Sequence, residues 1–215
     1  MITRNLSDLI KAYFTKRGDF HKFVAALDRK KIADALEELI ALYAQDKNSS
    51  TLREFITLSI AGYTRSEKKL GFNGTDESGP AEMKPKNISS ESKDKLSGNG
   101  NFTDLTYQRF EKYKKANLTM LISGFVDGRL IYIIRFPFSY REFAAHLKSK
   151  LDKFYGGTHQ TGRYLRSAEF NYKHYHDCPD LSIVYLDSGA LDDYPHKLSE
   201  EFKKFVVAKH HGGSR

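Results

Sequence analysis

The residues with the clearest potential for chemistry lie in the stretch GFNGTDESGPAEMKPKN, residues 71–87. Asp76 stands before a turn-forming Glu-Ser-Gly sequence, and Glu82 and Lys84 follow that turn. Because side chains alternate between the two faces of a strand, Glu82 and Lys84 point the same way if this segment is extended. Two carboxylates and an amine on one surface can hold a hard divalent cation and stabilise developing negative charge. A charged hairpin on a solvated sheet edge is the simpler alternative.

The composition favours a basic folded protein without a membrane span. Of the 215 residues, 40% are hydrophobic and 13% aromatic, which is enough for a core. The formal net charge of +8 favours a polyanionic partner such as nucleic acid, and the positive excess continues from residue 84 to 117. No segment approaches the ~18 apolar residues of a membrane helix. The single Cys178 excludes an intrachain disulfide and is typical of a reducing compartment, so we expect a cytoplasmic protein.

Helices are predicted throughout the first part of the chain, residues 1–66. Two of them carry apolar faces suited to core packing or to a subunit interface. The apolar positions are Ile32, Leu36, Leu39, Ile40 and Tyr43 in one helix, and Phe55, Ile56, Ile60 and Tyr63 in the next.

Residues 67–215 are predicted to form the remainder of one integrated domain. Asp127-Gly128 lies between two apolar runs and predicts a hairpin whose strands are covered on both faces. The other expected elements are a hairpin over 70–86, a flexible polar loop over 87–101, helices over 102–115, 139–153 and 195–209, strands over 163–175 and 181–186, and an acidic loop after residue 186. The predicted fold class is α/β (α+β), with a central mixed sheet of about five strands flanked by helices.

This order of elements resembles the PD-(D/E)xK nuclease superfamily, and within it the PvuII-like type II restriction endonucleases. The resemblance covers roughly residues 50–187, and its specific part is Asp76 followed by Glu82-Met83-Lys84. It implies that Asp76 and Glu82 bind Mg²⁺ together with the backbone carbonyl of Met83, and that Lys84 assists the attacking water. The activity so implied is sequence-specific cleavage of double-stranded DNA by phosphodiester hydrolysis, with a restriction-endonuclease-like fold.

Three further residues are alternatives for the metal site. The segment from Asp76 to Glu82 is short for a hairpin that spans two strands, so Asn73 or Glu77 could take the place of Asp76. Glu54, on the preceding helix, could contribute an additional group.

The same resemblance implies particular partners. A symmetric cut through both strands is most simply made by a homodimer, for which the helices of residues 1–66 are the candidate interface. A cognate DNA methyltransferase would be the functional partner of a restriction enzyme. We expect the loop over 87–101 and the start of the next helix to face the DNA. The candidate contacts are Lys86, Asn87, Ser89, Lys93, Lys95, Asn99, Asn101, Lys114, Arg163 and Arg166.

Two other functions remain open from the sequence. One is a repair, phage or structure-specific nuclease of the same superfamily. The other is a non-catalytic basic module that binds DNA or RNA.

Overall fold

The structure, a computed structural model, describes residues 4–45, 50–66, 72–158 and 162–212. Its first part is helical, as the sequence predicts. The helices there are α1 (Arg4–Thr15), α2 (Phe20–Ala25), α3 (Arg29–Gln45) and α4 (Ser50–Ala61), with a short 3-10 turn at Arg17–Asp19. Helix α1 contacts both α3 and α4.

The two apolar helix faces differ in burial. Phe55, Ile56 and Ile60 of α4 are buried, as predicted. On α3, in contrast, Leu36 is 54% exposed and Ile40 is 59% exposed. Leu36 and Ile40 therefore lie outside the core of a single chain, whereas Leu39 of the same helix packs against the buried cluster of Leu6, Ala35 and Phe55.

Eight strands follow among the described residues, together with four more α-helices. The strands are β1 (Thr64–Arg65), β2 (Gly74–Asp76), β3 (Gly79–Ile88), β4 (Gly100–Leu105), β5 (Thr119–Val126), β6 (Arg129–Pro137), β7 (Leu165–Phe170) and β8 (Ser182–Leu186). The helices are α5 (Tyr107–Lys115), α6 (Arg141–Tyr155), α7 (Ser188–Asp193) and α8 (Glu200–Gly212). None of the described helices is long and apolar enough to cross a membrane.

The central sheet is mixed, and helices cover both faces. Its six strands lie in the order β1-β2-β3-β5-β6-β8, and only β3 and β5 are parallel neighbours. One face packs on α4 through Leu58, Met83 and Leu121. The other face packs on an aromatic core that includes Phe136 and Phe143. The class is thus mixed α and β, with a central sheet of six strands where about five were expected.

The hairpin predicted at Asp127-Gly128 is confirmed. Strands β5 and β6 are joined at Asp127 and Gly128, whose φ angles of 48° and 79° lie in the left-handed region. Such angles suit Asp-Gly in a tight turn between strands. Almost every residue of β5 is buried, as expected for a strand with neighbours on both sides and helices on both faces.

Two predicted elements differ from the structure. Residues 102–105 are not helical, because they form the end of β4, which pairs with β7 in a separate two-stranded sheet. Helix α5 begins only after Thr106, whose side chain accepts a hydrogen bond from the backbone of Arg109. The acidic segment after residue 186 forms helix α7 rather than a loop, since the Asp187 side chain accepts a hydrogen bond from Ala190 N at its N-terminus.

The polar segment over 87–101 is also more ordered than the sequence predicts. Its first two residues extend β3, and its last two begin β4. Leu96, between them, is fully buried and exchanges backbone hydrogen bonds with Lys197 and Ser199. A single apolar side chain thus fixes the middle of a segment whose composition suggested a flexible loop.

Candidate functional site

Strand β3 places Glu82 and Lys84 on the same face of the sheet, as their spacing predicts. Lys84 Nζ donates a hydrogen bond to Glu82 Oε1 at 2.8 Å, and Met83 lies in the opposite layer against α4. Glu82 is only 3% exposed, so these two side chains do not belong to a solvated charged hairpin. They form a buried ion pair, which is stable only when its charges and hydrogen bonds are satisfied.

A second cation lies beside Glu82. The Nη2 atom of Arg109, on α5, is 3.6 Å from Glu82 Oε1. The Nε atom of Arg109 donates to the hydroxyl of Tyr113 at 2.5 Å. Burial, with the neighbouring charge of Glu82, raises the pKa of Tyr113 to about 12, so this hydroxyl stays protonated. The Glu82 carboxylate therefore has two cationic neighbours, Lys84 and Arg109, and the nearby Tyr113 hydroxyl adds no negative charge.

The edge of β3 next to this pair is open. Strand β2 pairs with β3 only as far as Ala81, and Asn73 continues the contact because its N–H donates to Ala81 O at 3.0 Å. The N–H of Met83 donates to Asn73 Oδ1 at 3.1 Å. Since the N–H and C=O of one strand residue point to the same edge, the Met83 carbonyl faces this side too. Beyond Met83, the described residues provide no strand partner on this edge.

A cleft of about 820 Å³ lies at this open edge. One wall contains Glu54 of α4, and its floor contains Lys84 and Lys86 of β3. The opposite wall is built from β4, β7 and α6, with Lys150 and Glu169 among its residues. The cleft therefore lies next to the buried ion pair, and its lining carries both positive and negative side chains. Its volume is that of a typical binding site.

The structure does not bring Asp76 and Glu82 together. Asp76 is opposite Gly79 in the β2–β3 register, three residues before Glu82, so the two lie about 10 Å apart along the strand. Asp76 Oδ1 accepts hydrogen bonds from the N–H groups of Ser78 and Gly79 at 2.8 and 3.0 Å. Partial burial raises the pKa of Asp76, but these hydrogen bonds outweigh it and the pKa is lowered. Asp76 therefore stabilises the turn.

The β2–β3 register also places Glu77 and Asn73, the two alternatives to Asp76, at different distances from Glu82. Glu77 lies in the exposed turn between β2 and β3. Asn73, in contrast, contacts the β3 edge beside Met83. Of the three residues considered for this position, Asn73 is the one next to the Glu-x-Lys segment.

The donors at this edge can be compared with the ligands that magnesium prefers. Among the residues that the structure describes, no group of three or more His, Cys, Asp or Glu could hold a metal ion. The oxygen groups along this part of β3 are the Glu82 carboxylate, the Met83 carbonyl and the Asn73 amide oxygen, and Glu54 lines the adjacent cleft, whose lining includes neither Glu82 nor Asn73. All are oxygen donors, and Mg²⁺ typically takes one or two carboxylates and keeps several waters. The types of these donor atoms are therefore those that magnesium takes.

The predicted DNA contacts divide between the cleft and other surfaces. Lys86, Asn99 and Asn101 line the cleft. Asn87 instead accepts a hydrogen bond from Gly128 N at 3.0 Å, and Ser89 accepts one from Glu91 N at 3.1 Å, so both stabilise turns. The remaining candidates lie at exposed positions outside the residues that line the cleft: Lys93, Lys95, Lys114, Arg163 and Arg166.

Several cleft residues were not predicted from the sequence. Lys150, Glu169 and His174 line the cleft, and Arg109 reaches Glu82, yet no local pattern links them to Glu82-x-Lys84. The ring of His174 lies 3.6 Å from that of His146. Burial lowers the pKa of His174, and the nearby His146 and Lys150 lower it further. His174 is therefore neutral at neutral pH.

Comparison with known proteins identifies no family: no family model and no curated protein matches the chain. Any function must therefore be inferred from the sequence pattern and from the geometry of this cleft.

Proposed function

We propose that the protein is a magnesium-dependent endonuclease that cuts double-stranded DNA at a specific sequence, as type II restriction enzymes do. The observation that carries this proposal is the buried Glu82–Lys84 pair, which lies beside an 820 Å³ cleft at the open edge of β3. Burying charges is costly, and proteins retain such groups next to clefts where chemistry needs them. The sequence resemblance of Glu82-Met83-Lys84 to the PD-(D/E)xK motif supports the same activity.

Each residue of the cluster has a role in this proposal. Glu82 and the Met83 carbonyl would hold the magnesium ion, with Asn73 and Glu54 as nearby oxygen donors. When bound, magnesium would supply Lewis-acid activation of the phosphodiester and of water. The Lys84 ammonium, at the floor of the cleft, would orient the attacking water and stabilise the charge that develops on the phosphoryl oxygens. Arg109 would keep the Glu82 carboxylate in place.

The charge and the exposed helix face support the partners of such an enzyme. The net charge of +8 favours DNA, and Lys86 and Lys150 in the cleft suit phosphate contacts. Leu36 and Ile40, one helical turn apart on α3, form an exposed apolar pair that suits a homodimer interface. Two sites related by a twofold axis would cut both strands, and a cognate methyltransferase in the same cytoplasm would protect the host DNA.

Digestion of a plasmid tests the activity. We expect double-strand cleavage with Mg²⁺ or Mn²⁺, none with chelator, and binding without cleavage in Ca²⁺, which favours a looser coordination geometry. Sequencing of the fragment ends would give the site and the cut position. Lys84→Met should abolish cutting and keep DNA binding, whereas Lys93→Met, an exposed control of the same chemistry outside the cleft, should keep both cutting and DNA binding. Full cutting by Lys84→Met would reject the assignment.

A non-catalytic DNA-binding module is the second candidate. It is favoured by one observation, the lack of a group of three or more acidic, His or Cys side chains among the described residues. Such a module needs no divalent ion. Intact DNA of varied sequence and methylation after incubation with Mg²⁺ and Mn²⁺ would support it, and cleavage of single strands or junctions alone would support a repair-type nuclease.

A further inference from the structure

Strand β8 ends the central sheet with an open edge. It is the last strand in the sheet order and pairs with β6 on its inner side. Apart from that ladder, residues 182–186 make no backbone–backbone hydrogen bond to any part of the chain that the structure describes. The outward N–H and C=O groups of such an edge can pair with another strand.

The register with β6 identifies an outward backbone donor on β8. The N–H of Asp187 donates to Ile131 O at 2.9 Å, and Leu186 is opposite Tyr132. Because hydrogen-bonding direction alternates along an antiparallel strand, the N–H of Leu186 points away from β6. This amide is therefore a specific position at which pairing along the open edge can be detected.

The sequence of β8 does not protect this edge. Its five residues, SIVYL, include neither a charged side chain nor a proline, and all five are half-buried. Edge strands that must not pair commonly carry a charge or a proline. A register shift at Ile133 and Ile134 bends the ladder with β6. The edge therefore suits a short extended segment better than a long strand of a second sheet.

Two cavities follow the edge from one end of β8 to the other. The first, of about 690 Å³, is lined by residues 184–186 and by the end of α1. The second, of about 510 Å³, is lined by residues 182–183 and by the C-terminal turn of α8. His210 lines both cavities. Together they form a groove, called here the β8 groove, that is as long as the strand, roughly 16 Å at ~3.3 Å per residue.

The β8 groove has a positive charge near each end. Arg17 lines the first cavity and Lys209 the second, both are exposed, and neither has an ion pair with a described residue. The carboxylates of the groove are already engaged. Asp127 accepts a hydrogen bond from a backbone N–H at 3.0 Å, and Asp187 pairs with Arg129 Nη2 at 2.9 Å. Complementary charge in a ligand is therefore negative, near both ends of the groove.

Aromatic side chains provide an apolar contact in the first cavity. Tyr13, Phe14 and Tyr185 line it, and the rings of Phe14 and Tyr185 meet edge to face with centroids 6.2 Å apart. The Tyr185 hydroxyl donates to Phe14 O at 3.3 Å, which links the strand to α1. When an extended peptide adds to a sheet edge, such contacts to its alternate side chains provide specificity, and its backbone hydrogen bonds provide affinity.

We propose that the β8 groove binds an extended acidic peptide of a partner protein, which adds to the sheet as a strand outside β8. Its backbone pairs with the outward groups of β8, including the N–H of Leu186. Its acidic side chains lie near Arg17 and Lys209, and an apolar side chain packs against Tyr185. Strands β5 and β6 separate β8 from β3 by about 14 Å, so the bound peptide leaves the cleft open. This inference does not depend on the endonuclease proposal.

Selection of randomised ten-residue peptides on the wild-type protein tests this inference. We expect an enriched motif of alternating apolar residues with Asp or Glu near both ends. Fluorescence anisotropy with the synthetic peptide gives its affinity. Arg17→Gln and Lys209→Gln should each weaken binding by roughly 2- to 5-fold, as expected for exposed charge pairs. The control Lys115→Gln, an exposed lysine of α5 outside both cavities, should bind like the wild type.

Two further measurements test strand pairing itself. At a peptide concentration of 100 times the Kd, hydrogen exchange of the Leu186 amide should slow by up to about 100-fold. The peptide would also be made in two forms, each N-methylated at one set of alternate residues. Because only one edge of the peptide faces β8, one form should lose binding and the other should keep it.

Four outcomes would overturn this inference. They are the absence of any enriched motif, a motif without acidic residues, equal binding of the two methylated forms, and unchanged exchange of the Leu186 amide in saturating peptide. Exchange of this amide that slows with protein concentration, without peptide, would show that a second copy of the chain covers the edge, and would overturn the inference as well.

Discussion

Replacement of Glu82 should affect stability and cutting in ways that can be separated. Its side chain is 5% exposed and that of Lys84 is 16% exposed, so water cannot solvate either charge well. Removal of one partner of a buried ion pair costs about 3–5 kcal/mol. We expect Glu82→Ala to lose this much free energy of unfolding, because within the described residues the contact that remains to Lys84 Nζ is the Phe102 ring, whose centroid is 4.5 Å away.

Glu82→Gln should lose less stability than Glu82→Ala, and both variants should lose cutting activity. In Glu82→Gln the amide oxygen can still accept a hydrogen bond from Lys84 Nζ, now 2.8 Å from the carboxylate. We expect a loss of about 1–3 kcal/mol, since a hydrogen bond to a charged group is kept while the compensating charge is removed. Cutting should be abolished, because a neutral amide is a poor ligand for a hard cation.

A double variant separates the two effects further. Replacement of both members of a buried pair by apolar side chains is often neutral or stabilising. Glu82→Leu combined with Lys84→Met should therefore unfold within about 1 kcal/mol of the wild type and still not cut DNA. Arg109 tolerates the change because it is 34% exposed and keeps its hydrogen bond to Thr103 O.

Three measurements would decide this prediction. Urea unfolding followed by circular dichroism gives stability, fluorescence anisotropy in Ca²⁺ gives DNA binding, and plasmid digestion in Mg²⁺ gives cutting. Glu111→Gln, an exposed residue of α5, is the matched control and should resemble the wild type. The reasoning is refuted if Glu82→Gln has wild-type stability and cuts at the wild-type rate, or if the double variant cuts.

Three further outcomes follow from the structure. Asp76→Ala should lose about 1 kcal/mol of unfolding free energy, because the turn hydrogen bonds are lost, and should cut DNA at the wild-type rate. A folded but inactive variant would show that Asp76 belongs to the catalytic site. Leu36→Glu with Ile40→Glu should convert a dimer to a monomer in sedimentation velocity, and a monomeric wild type would exclude this interface. Burial lowers the pKa of His174 in the folded protein. As the pH falls below ~6.5, this histidine is therefore protonated in the unfolded chain before it is protonated in the folded one, and the stability of the fold decreases. His174→Gln should flatten the decrease between about pH 7 and 5, and equal slopes for both proteins would contradict it.

Features that depend on close neighbours in the chain were predicted from the sequence. Alternation along a strand placed Glu82 and Lys84 on one face, and the hydrogen bond between them agrees. Helical periodicity identified the buried face of α4, and Asp127-Gly128 identified the turn between β5 and β6. In each case the spacing or the turn chemistry of a few residues is sufficient, because the interactions involved are local.

Features that depend on distant residues were not predictable in this way. The sequence predicts a helix over 102–115, but residues 100–105 form β4, which pairs with β7, more than sixty residues later in the chain. The same applies to Arg109, whose side chain reaches Glu82 only because α5 packs over this face of the sheet. A strand gains its hydrogen-bonding partner from the rest of the chain, so its local propensity is overridden by tertiary packing.

At the candidate site, too, the sequence could place some residues and not others. The sequence by itself established the basic charge, the single-face arrangement of Glu82 and Lys84, and the presence of a hairpin before β5. The register of that hairpin came only from the three-dimensional structure, which placed Asp76 in the turn and Asn73 beside Met83. The register of a short hairpin is fixed by the hydrogen bonds of its turn and by the packing of its faces. A change of a few residues in that register moves a carboxylate by about 10 Å, which decides whether it can reach a shared metal ion.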